Sequence, residues 1–256
     1  MALVRQIMFG GMYLAYGYSR LVGWGPFGRS RPVYLHDPPP VVANALKTAL
    51  HRQHVRQYHE ASCSVASVAT MLNAIRARNG AKRSPVTQLA LLDKVRCGHW
   101  KERMRPEGHN GRRGLPLGLL GEIVAASLMA YGIRPEALDV VPAYAQPKKA
   151  AALKRRLRNR MRRFEDRGDC LILAHFNQGA LVPALSIPHI SPVGGYDPAT
   201  DRVTLLDVDP DQPAPYSVTF ERFYQALACQ YLGLLRPLGY DRGGYVFVQL
   251  GAVNAH

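Results

Sequence analysis

Three side chains of this 256-residue chain have the types and setting for nucleophilic acyl chemistry: Cys63, His189 and Asp207. Cys63 stands at the start of the stretch SCSVASVATMLNAIRAR, residues 62–78. There Val65, Val68, Ala69, Leu72 and Ile75 recur at helical spacing. A cysteine in the first turn of a helix faces free backbone N–H groups and the positive end of the helix dipole. Both favour the thiolate, the reactive form. The alternative fate of a free cysteine is a small buried apolar residue. Cys170 and Cys229, set in buried strand and helix patterns, suit that fate better. With Cys97 they make four cysteines, far apart and without a C-x-x-C pair. That is too few for a disulfide scaffold and has no zinc-ribbon spacing.

His189 opens the run His189-Ile190-Ser191-Pro192-Val193-Gly194-Gly195-Tyr196, and Asp207 closes Val203-Thr204-Leu205-Leu206-Asp207. Between them lies the turn sequence Asp197-Pro198-Ala199-Thr200. Folding about that turn makes His189 and Asp207 cross-strand neighbours, or places them within one residue of it. Directly opposed Cβ atoms are about 5 Å apart, close enough for a carboxylate to accept from an imidazole N–H. This is how a carboxylate holds a catalytic histidine in one tautomer. By itself the pair could equally be a structural hydrogen bond. With a helix-start cysteine upstream, the order Cys…His…Asp matches a papain-like enzyme.

The elements that must position these residues follow from periodicity and punctuation. Helices are expected over 42–53, over 62–78 with Asn79-Gly80 as its end, from Ser84-Pro85 through Leu92, over 115–131, and over 148–167. The last has Leu153, Leu157, Met161 and Phe164 on one stripe and a cationic outer face, suited to an ordinary surface helix or to RNA or lipid. No aromatic residues interleave the cations for base stacking, which favours the ordinary helix and no nucleic acid. Residues 95–114 read as a basic loop. Strands are expected at 170–176, 190–196, 203–208 and 245–250. Helices first and strands later indicate an α+β domain with a mostly antiparallel sheet. Hydrophobic residues at 47% and charged residues at 20% exclude disorder as the default, and the net charge of +15 suits anionic partners or a solvated surface.

Residues 1–40 stand apart as an N-terminal extension, with the folded domain over 41–256. An apolar stretch from Ile7 to Tyr18 lies between Arg5 and Arg20, followed by glycine- and tryptophan-rich sequence and Pro38-Pro39-Pro40. It is short and glycine-rich for a membrane span. As an export signal it would have Ala15-Tyr16-Gly17 as a weak cleavage site. The expectation is a cytoplasmic protein with an arm packed on the domain, the alternative being export or membrane association through residues 1–30.

Gln57-Tyr58-His59-Glu60-Ala61-Ser62-Cys63-Ser64-Val65-Ala66-Ser67, continuing to Met71-Leu72-Asn73-Ala74, resembles the phytochelatin-synthase motif. That motif has Gln six residues before Cys-Gly-x-Ala-Ser and then a Leu-Asn-Ala run. His189 to Tyr196 is similar to the family's His-Phe-Ser-Pro-Ile-Gly-Gly-Tyr, and Leu205-Leu206-Asp207-Val208 to its Ile-Leu-Asp-Val. Gly239 to Val246 resembles its closing Gly-x-x-Arg-Gly-Phe segment, with Arg242 on the arginine. The resemblance implies a papain-like fold in which Cys63 is the nucleophile, His189 the general base and then acid, and Asp207 the orienter. Gln57 would serve the oxyanion hole, and Ser64 and Arg242 the substrate. It also implies attack on the Cys–Gly bond of glutathione, loss of glycine and a γ-glutamylcysteinyl thioester, resolved by water or by the amine of a second peptide. No cofactor is expected; a heavy-metal ion would enter as a thiolate complex of the substrate or as an activator.

Two departures from the family pattern bear on substrate. Ser64 replaces the glycine after the nucleophile, although its backbone N–H survives. The cationic Arg-Phe-Lys-Tyr-Pro segment after the aspartate is replaced by Val208-Asp209-Pro210-Asp211-Gln212-Pro213, for which the basic loop 102–113 would have to compensate. His51, His54, His59, Cys97, His99 and His109 fit no standard metal spacing. The competing readings are a cysteine peptidase on another short peptide, and an anion-binding protein with a decayed thiol site.

Overall fold

A computed structural model describes residues 2–22, 32–35, 44–80, 84–229 and 242–251. Its centre is a seven-stranded, wholly antiparallel sheet flanked by helices, an α+β architecture as expected. In chain order the helices are α1 (Ala2–Val22), α2 (Ala45–Arg52), α3 (Cys63–Arg78), α4 (Gln88–Lys94), α5 (Trp100–Arg103), α6 (Leu117–Ala130), α7 (Pro147–Arg167) and α8 (Phe220–Leu227). The strands are β1 (Val33–Tyr34), β2 (Ala137–Pro142), β3 (Cys170–Asn177), β4 (Pro188–Asp197), β5 (Arg202–Leu205), β6 (Tyr216–Thr219) and β7 (Gly244–Gln249). They lie in the order β1-β6-β5-β4-β3-β7-β2, so β3 and β4 form the middle of the sheet.

α3 is the buried helix of the domain. Thirteen consecutive residues, Cys63 to Ile75, are buried, which is why its sequence is mostly apolar or small on every face. Its polar side chains anchor neighbours. Ser67 Oγ donates to Ile190 O at 2.9 Å, and Asn73 bonds both the N–H and the C=O of Val86 at 2.7 and 3.0 Å. Thr70 Oγ1 accepts from Val55 N at 3.1 Å. The Ser67 bond joins the helix one turn past Cys63 to the residue after His189.

Several expected boundaries move. The helix read from Ser84-Pro85 begins only at Gln88, because Thr87 is the cap: its side chain accepts from Ala90 N, while 84–87 runs extended. The helix read over 42–53 is α2, capped by Asn44, with residues 41–43 outside the described set. Strands β1, β2 and β6 and helix α8 had no counterpart in the sequence reading. β2 precedes α7, so the order is not helices first throughout. Residues 95–114 hold α5 and turns, and Trp100 there is fully buried. Tyr34 and Val33 of the extension pair with Tyr216 and Ser217 as the sheet's edge.

α7 runs over Pro147–Arg167, with Leu157, Met161 and Phe164 buried and Leu153 packed at the margin. Five of its ten cations are in ion pairs. Arg158 and Arg163 grip Asp201 and Asp169 bidentately at 2.7–3.0 Å, Arg156 and Arg160 share Asp139, and Lys154 meets Glu221. Among the described residues no helix is long and apolar enough to cross a membrane.

Candidate active site

The local fold puts Cys63 where a thiol gains reactivity. It is the first residue of α3, and Ser62 before it makes no side-chain cap. The Ser62 hydroxyl is used instead in the preceding turn, accepting from His59 N at 3.0 Å and donating to His59 O at 2.8 Å. The first-turn amides of α3 therefore keep their favourable field for negative charge at this sulfur. Cys63 is 8% exposed, buried but not sealed.

β4 and β5 bring the partners together, with a register other than the expected one. Asp197 accepts from Ala199 N at 2.9 Å and Thr200 Oγ1 at 2.5 Å, and Asp201 turns left-handed at φ 48°. The loop therefore spans 198–201, and Asp197 pairs with Arg202. A bulge at Gly194 then shifts the ladder so that Val193 faces Leu205. A Cβ at Gly194 would stand 2.6 Å from Leu206 Cγ, and its carbonyl accepts from His51 Nε2 at 2.8 Å, so this close approach requires glycine. The ladder ends with Leu206 N donating to Pro192 O at 3.0 Å. Asp207 thus lies just past β5, which stops at Leu205 rather than Val208, and its level on β4 is that of Ser191. His189 and Asp207 meet on the diagonal, not face to face, a separation that their side chains span.

The contact itself is close. His189 Nε2 donates to Asp207 Oδ1 at 2.7 Å, with the two residues 4% and 1% exposed. That leaves Nδ1 free of the carboxylate, and the Cys63 thiol is near enough to the ring to raise its pKa as well. Phe176, opposite His189 on β3, meets the imidazole edge-on at 5.5 Å between centroids. Asp207 is hydrogen-bonded all round: Oδ1 also accepts from Asp209 N at 3.0 Å and Ser191 Oγ at 3.4 Å, and Oδ2 from Tyr216 OH at 2.7 Å. Burial alone would discharge both members of the pair. The carboxylate overcomes this for His189, raising its pKa, and the imidazolium with the Asp209 N–H and the Tyr216 hydroxyl holds Asp207 below the usual carboxylate range.

The remaining expected residues fall around this centre. Gln57 N donates to Val208 O at 2.8 Å, next to Asp207, and its buried Oε1 has no hydrogen-bond partner among the described residues. Its side chain is therefore not committed to holding the fold. Ser64, expected to serve the substrate, is buried, and its hydroxyl accepts from Trp100 Nε1 at 3.0 Å, so that side chain fastens the 97–103 segment to α3. Arg242 precedes β7. Gly244 pairs with His175 and Phe176 with His189, so Arg242 sits at the same end of the sheet as His189, one strand beyond β3. Its guanidinium lies 4.6 Å from the Tyr144 ring centroid. Gly239 to Asp241 of the closing motif lie outside the described residues.

Sequence reasoning missed Tyr216, Ser191, Ser67 and Arg56. Ser191 could have been found, since it lies two residues from His189 and shares its face. Tyr216 carries no local signal; only the β5–β6 register reveals it. Arg56 Nη1 donates to Asp209 O at 2.6 Å and to Gln212 O, and Nη2 to Pro213 O at 3.3 Å, pinning the chain that follows Asp207. Asp209 of the acidic segment that replaces the family's cationic one has its carboxylate engaged by Gln178 Nε2 at 2.6 Å and Asp211 N at 3.0 Å. In the basic loop, Arg113 pairs with Glu60 at 2.6 Å, three residues before the nucleophile. His99 and His109 stack with centroids 3.8 Å apart, and no group of three or more His, Cys, Asp or Glu among the described residues is placed to hold a metal ion. Cys170 is sealed in β3, where burial pushes its thiol up to about 12.

A helix-start cysteine on α3 and a buried histidine–carboxylate pair are thus brought together on one α+β scaffold. The family model for phytochelatin synthase matches residues 43–231, and the chain belongs to that family. The family is one of enzymes that act on glutathione-related γ-glutamylcysteine peptides. A comparison with curated proteins finds no match.

Proposed function

We propose that the protein cleaves the Cys–Gly amide of glutathione or a related γ-glutamyl peptide through a thioester on Cys63, and passes the acyl group mainly to water. The observation carrying this reading is the buried His189–Asp207 hydrogen bond at 2.7 Å, with the helix-start thiol of Cys63 acting on the same imidazole. Cys63 Sγ attacks the cysteinyl carbonyl while its proton resides on His189 Nδ1. The carbonyl oxygen becomes an oxyanion, stabilised by a side-chain N–H of Gln57 and the backbone N–H at the start of α3. The tetrahedral intermediate collapses as His189 gives its proton to the departing glycine amine, leaving the thioester. Water, deprotonated by His189, then releases γ-glutamylcysteine and restores the thiol. Asp207 keeps the proton of Nε2 in place and stabilises the imidazolium.

Extension by a second γ-glutamyl peptide requires that anionic acceptor to be held beside the thioester. The segment after Asp207 offers no side-chain cation for this: Asp211 is exposed, and the donors of Arg56 are used on backbone carbonyls. Hydrolysis is therefore the expected main route, with transfer a minor one. Incubation of the purified protein with glutathione, followed by mass spectrometry, decides this. Free glycine and γ-glutamylcysteine support the reading, and abundant longer oligomers overturn the preference for water. Release of no glycine alongside a reactive Cys63 would favour the second reading, a cysteine peptidase on a different short peptide. An anion-binding protein with a decayed site is disfavoured by the intact pair and by the ion pairs of α7. For location the reading is cytoplasmic, with membrane contact through α1 as the alternative, favoured by Ile7, Leu14 and Leu21, each more than half exposed. Sedimentation of the full chain with anionic vesicles separates the two.

A further inference from the structure

We propose that Tyr216 is a positioning residue for Asp207, and that Tyr34 of β1 holds it there, so that an edge strand from outside the family-matched region sets the geometry of the site. The inference rests on the thiol-enzyme reading above. Two oxygens of one carboxylate are treated differently. Oδ1 gathers His189 Nε2, Asp209 N and Ser191 Oγ, all from β4 or from the chain next to Asp207. Oδ2 is held by the Tyr216 hydroxyl, which comes from β6. A carboxylate fixed at one oxygen can still rotate about its Cβ–Cγ bond; fixed at both, it presents Oδ1 to the imidazole in one plane. Tyr216 is fully buried, and a buried tyrosine hydroxyl needs a partner. Here that partner is the oxygen the histidine does not use.

Tyr34 secures Tyr216 from the far side. The two residues are direct cross-strand partners, their rings meet edge-on at 71° with centroids 5.8 Å apart, and Leu35 N donates to Pro215 O at 2.8 Å. The Tyr34 hydroxyl donates to Gln212 Oε1 at 2.9 Å, on the same segment that Arg56 pins. The arm thus closes the sheet edge over Tyr216. The family match begins at residue 43, so this closure is supplied by sequence that the match does not include.

The groups facing Asp207 are His189 with Cys63 behind it, Tyr216 and Tyr34 from β6 and β1, Asp209 from its own strand end, and His54. The ring of His54 lies near Asp207 and Arg56. Burial keeps His54 neutral, with its pKa near 4, and both tyrosines are raised by burial and by Asp207. Tyr216 is thus a neutral donor throughout the working range, and a donor lowers the pKa of the carboxylate it serves. Removing it must raise that of Asp207, so the imidazolium loses its counter-charge at a higher pH.

The test is the rate of Cys63 alkylation by iodoacetamide against pH in the full chain, followed on the Cys63 peptide by mass spectrometry. No substrate identity enters. Tyr216→Phe should move the acid-side midpoint upward by about one pH unit, the size of one hydrogen bond to a charged group. Tyr34→Ala should move it in the same direction by less, and Tyr34→Phe, which keeps the ring against Tyr216, should restore it. Thermal melts establish that each variant is folded. A midpoint unmoved within about 0.2 unit in folded Tyr216→Phe overturns the inference, since a merely structural tyrosine changes the melting temperature alone. A shift in Tyr216→Phe without one in Tyr34→Ala overturns the part assigned to β1. If Cys63 of the unaltered protein reacts no faster than Cys97, the thiol reading itself fails and takes this inference with it.

Discussion

The protein uses carboxylate–cation pairs in two places, and they do opposite work. On α7, Lys154, Arg156, Arg158, Arg160 and Arg163 meet Glu221, Asp139, Asp201 and Asp169 at a half-exposed surface, each pair partly wet. In the sheet, His189 and Asp207 form one almost wholly buried pair, with every oxygen of the carboxylate bonded. Surface pairs contribute about 0–1 kcal/mol each and are screened by salt. A buried pair costs desolvation on both sides, and losing one partner leaves an uncompensated charge that destabilises by about 3–5 kcal/mol. Such an arrangement is a poor way to stabilise a domain and a good way to hold one imidazole in one orientation.

The largest way to break this contrast is at the nucleophile. Cys63→Ala should abolish turnover of glutathione while leaving circular dichroism and melting temperature nearly unchanged, because the side chain lies at a helix start and at the margin of the core. Loss of activity without unfolding on substituting Cys170 or Cys229 would tell against Cys63.

Next comes Asp207→Asn, which keeps shape and volume but favours the wrong tautomer of His189. A loss on the order of 10⁴ in kcat is expected by analogy with serine triads. A loss below about tenfold would make Asp207 structural. The buried pair also sets a pH window for stability. His189 is raised in the folded state to about 10, so its contribution is complete below its ordinary value of 6.5 and fades as pH rises through the raised one. Asp207 is lowered, so its contribution is present above its ordinary 3.8 and is lost as pH falls through the depressed value. Melting temperature against pH should therefore show a plateau between these limits. The acid edge should vanish in Asp207→Asn relative to the unaltered protein.

The smallest effect is expected on α7. Replacing Lys154, Arg155, Arg158 and Arg162 together by Gln should leave turnover of a small peptide within about twofold and cost at most about 1 kcal/mol for each ion pair broken, of which Lys154–Glu221 and Arg158–Asp201 are two. Strong, salt-dependent binding to RNA or anionic vesicles that disappears in this variant would erase the contrast, since the helix face would then be an interface.

What could be read from the sequence follows the same division. α3, α6, α7, β3, β4 and β7 were legible because each carries an uninterrupted period or apolar run. Cys63, His189 and Asp207 were legible because Cys63 begins α3 and the other two lie within two residues of the ends of β4 and β5. The hairpin register was not, because the left-handed turn at Asp201 and the bulge at Gly194 each shift the ladder, and neither has a periodic signature. β1 and β6 are two and four residues long, too short to show alternation, and their pairing joins positions more than 180 residues apart. The Tyr216 contact, which completes the carboxylate's bonding, depends on that long-range register. Asp209 shows the reverse error: its charge was visible, but its engagement by Gln178 was not.

The central claim is that Cys63 carries an acyl group derived from the peptide substrate. Rapid acid quenching of the protein with glutathione, followed by digestion and mass spectrometry of the peptide containing Cys63, measures this directly. The account predicts a γ-glutamylcysteinyl adduct on Cys63, lost on treatment with hydroxylamine as a thioester is and absent in His189→Ala. Glycine released at an undiminished rate by Cys63→Ala, or an adduct found on another cysteine, would contradict it.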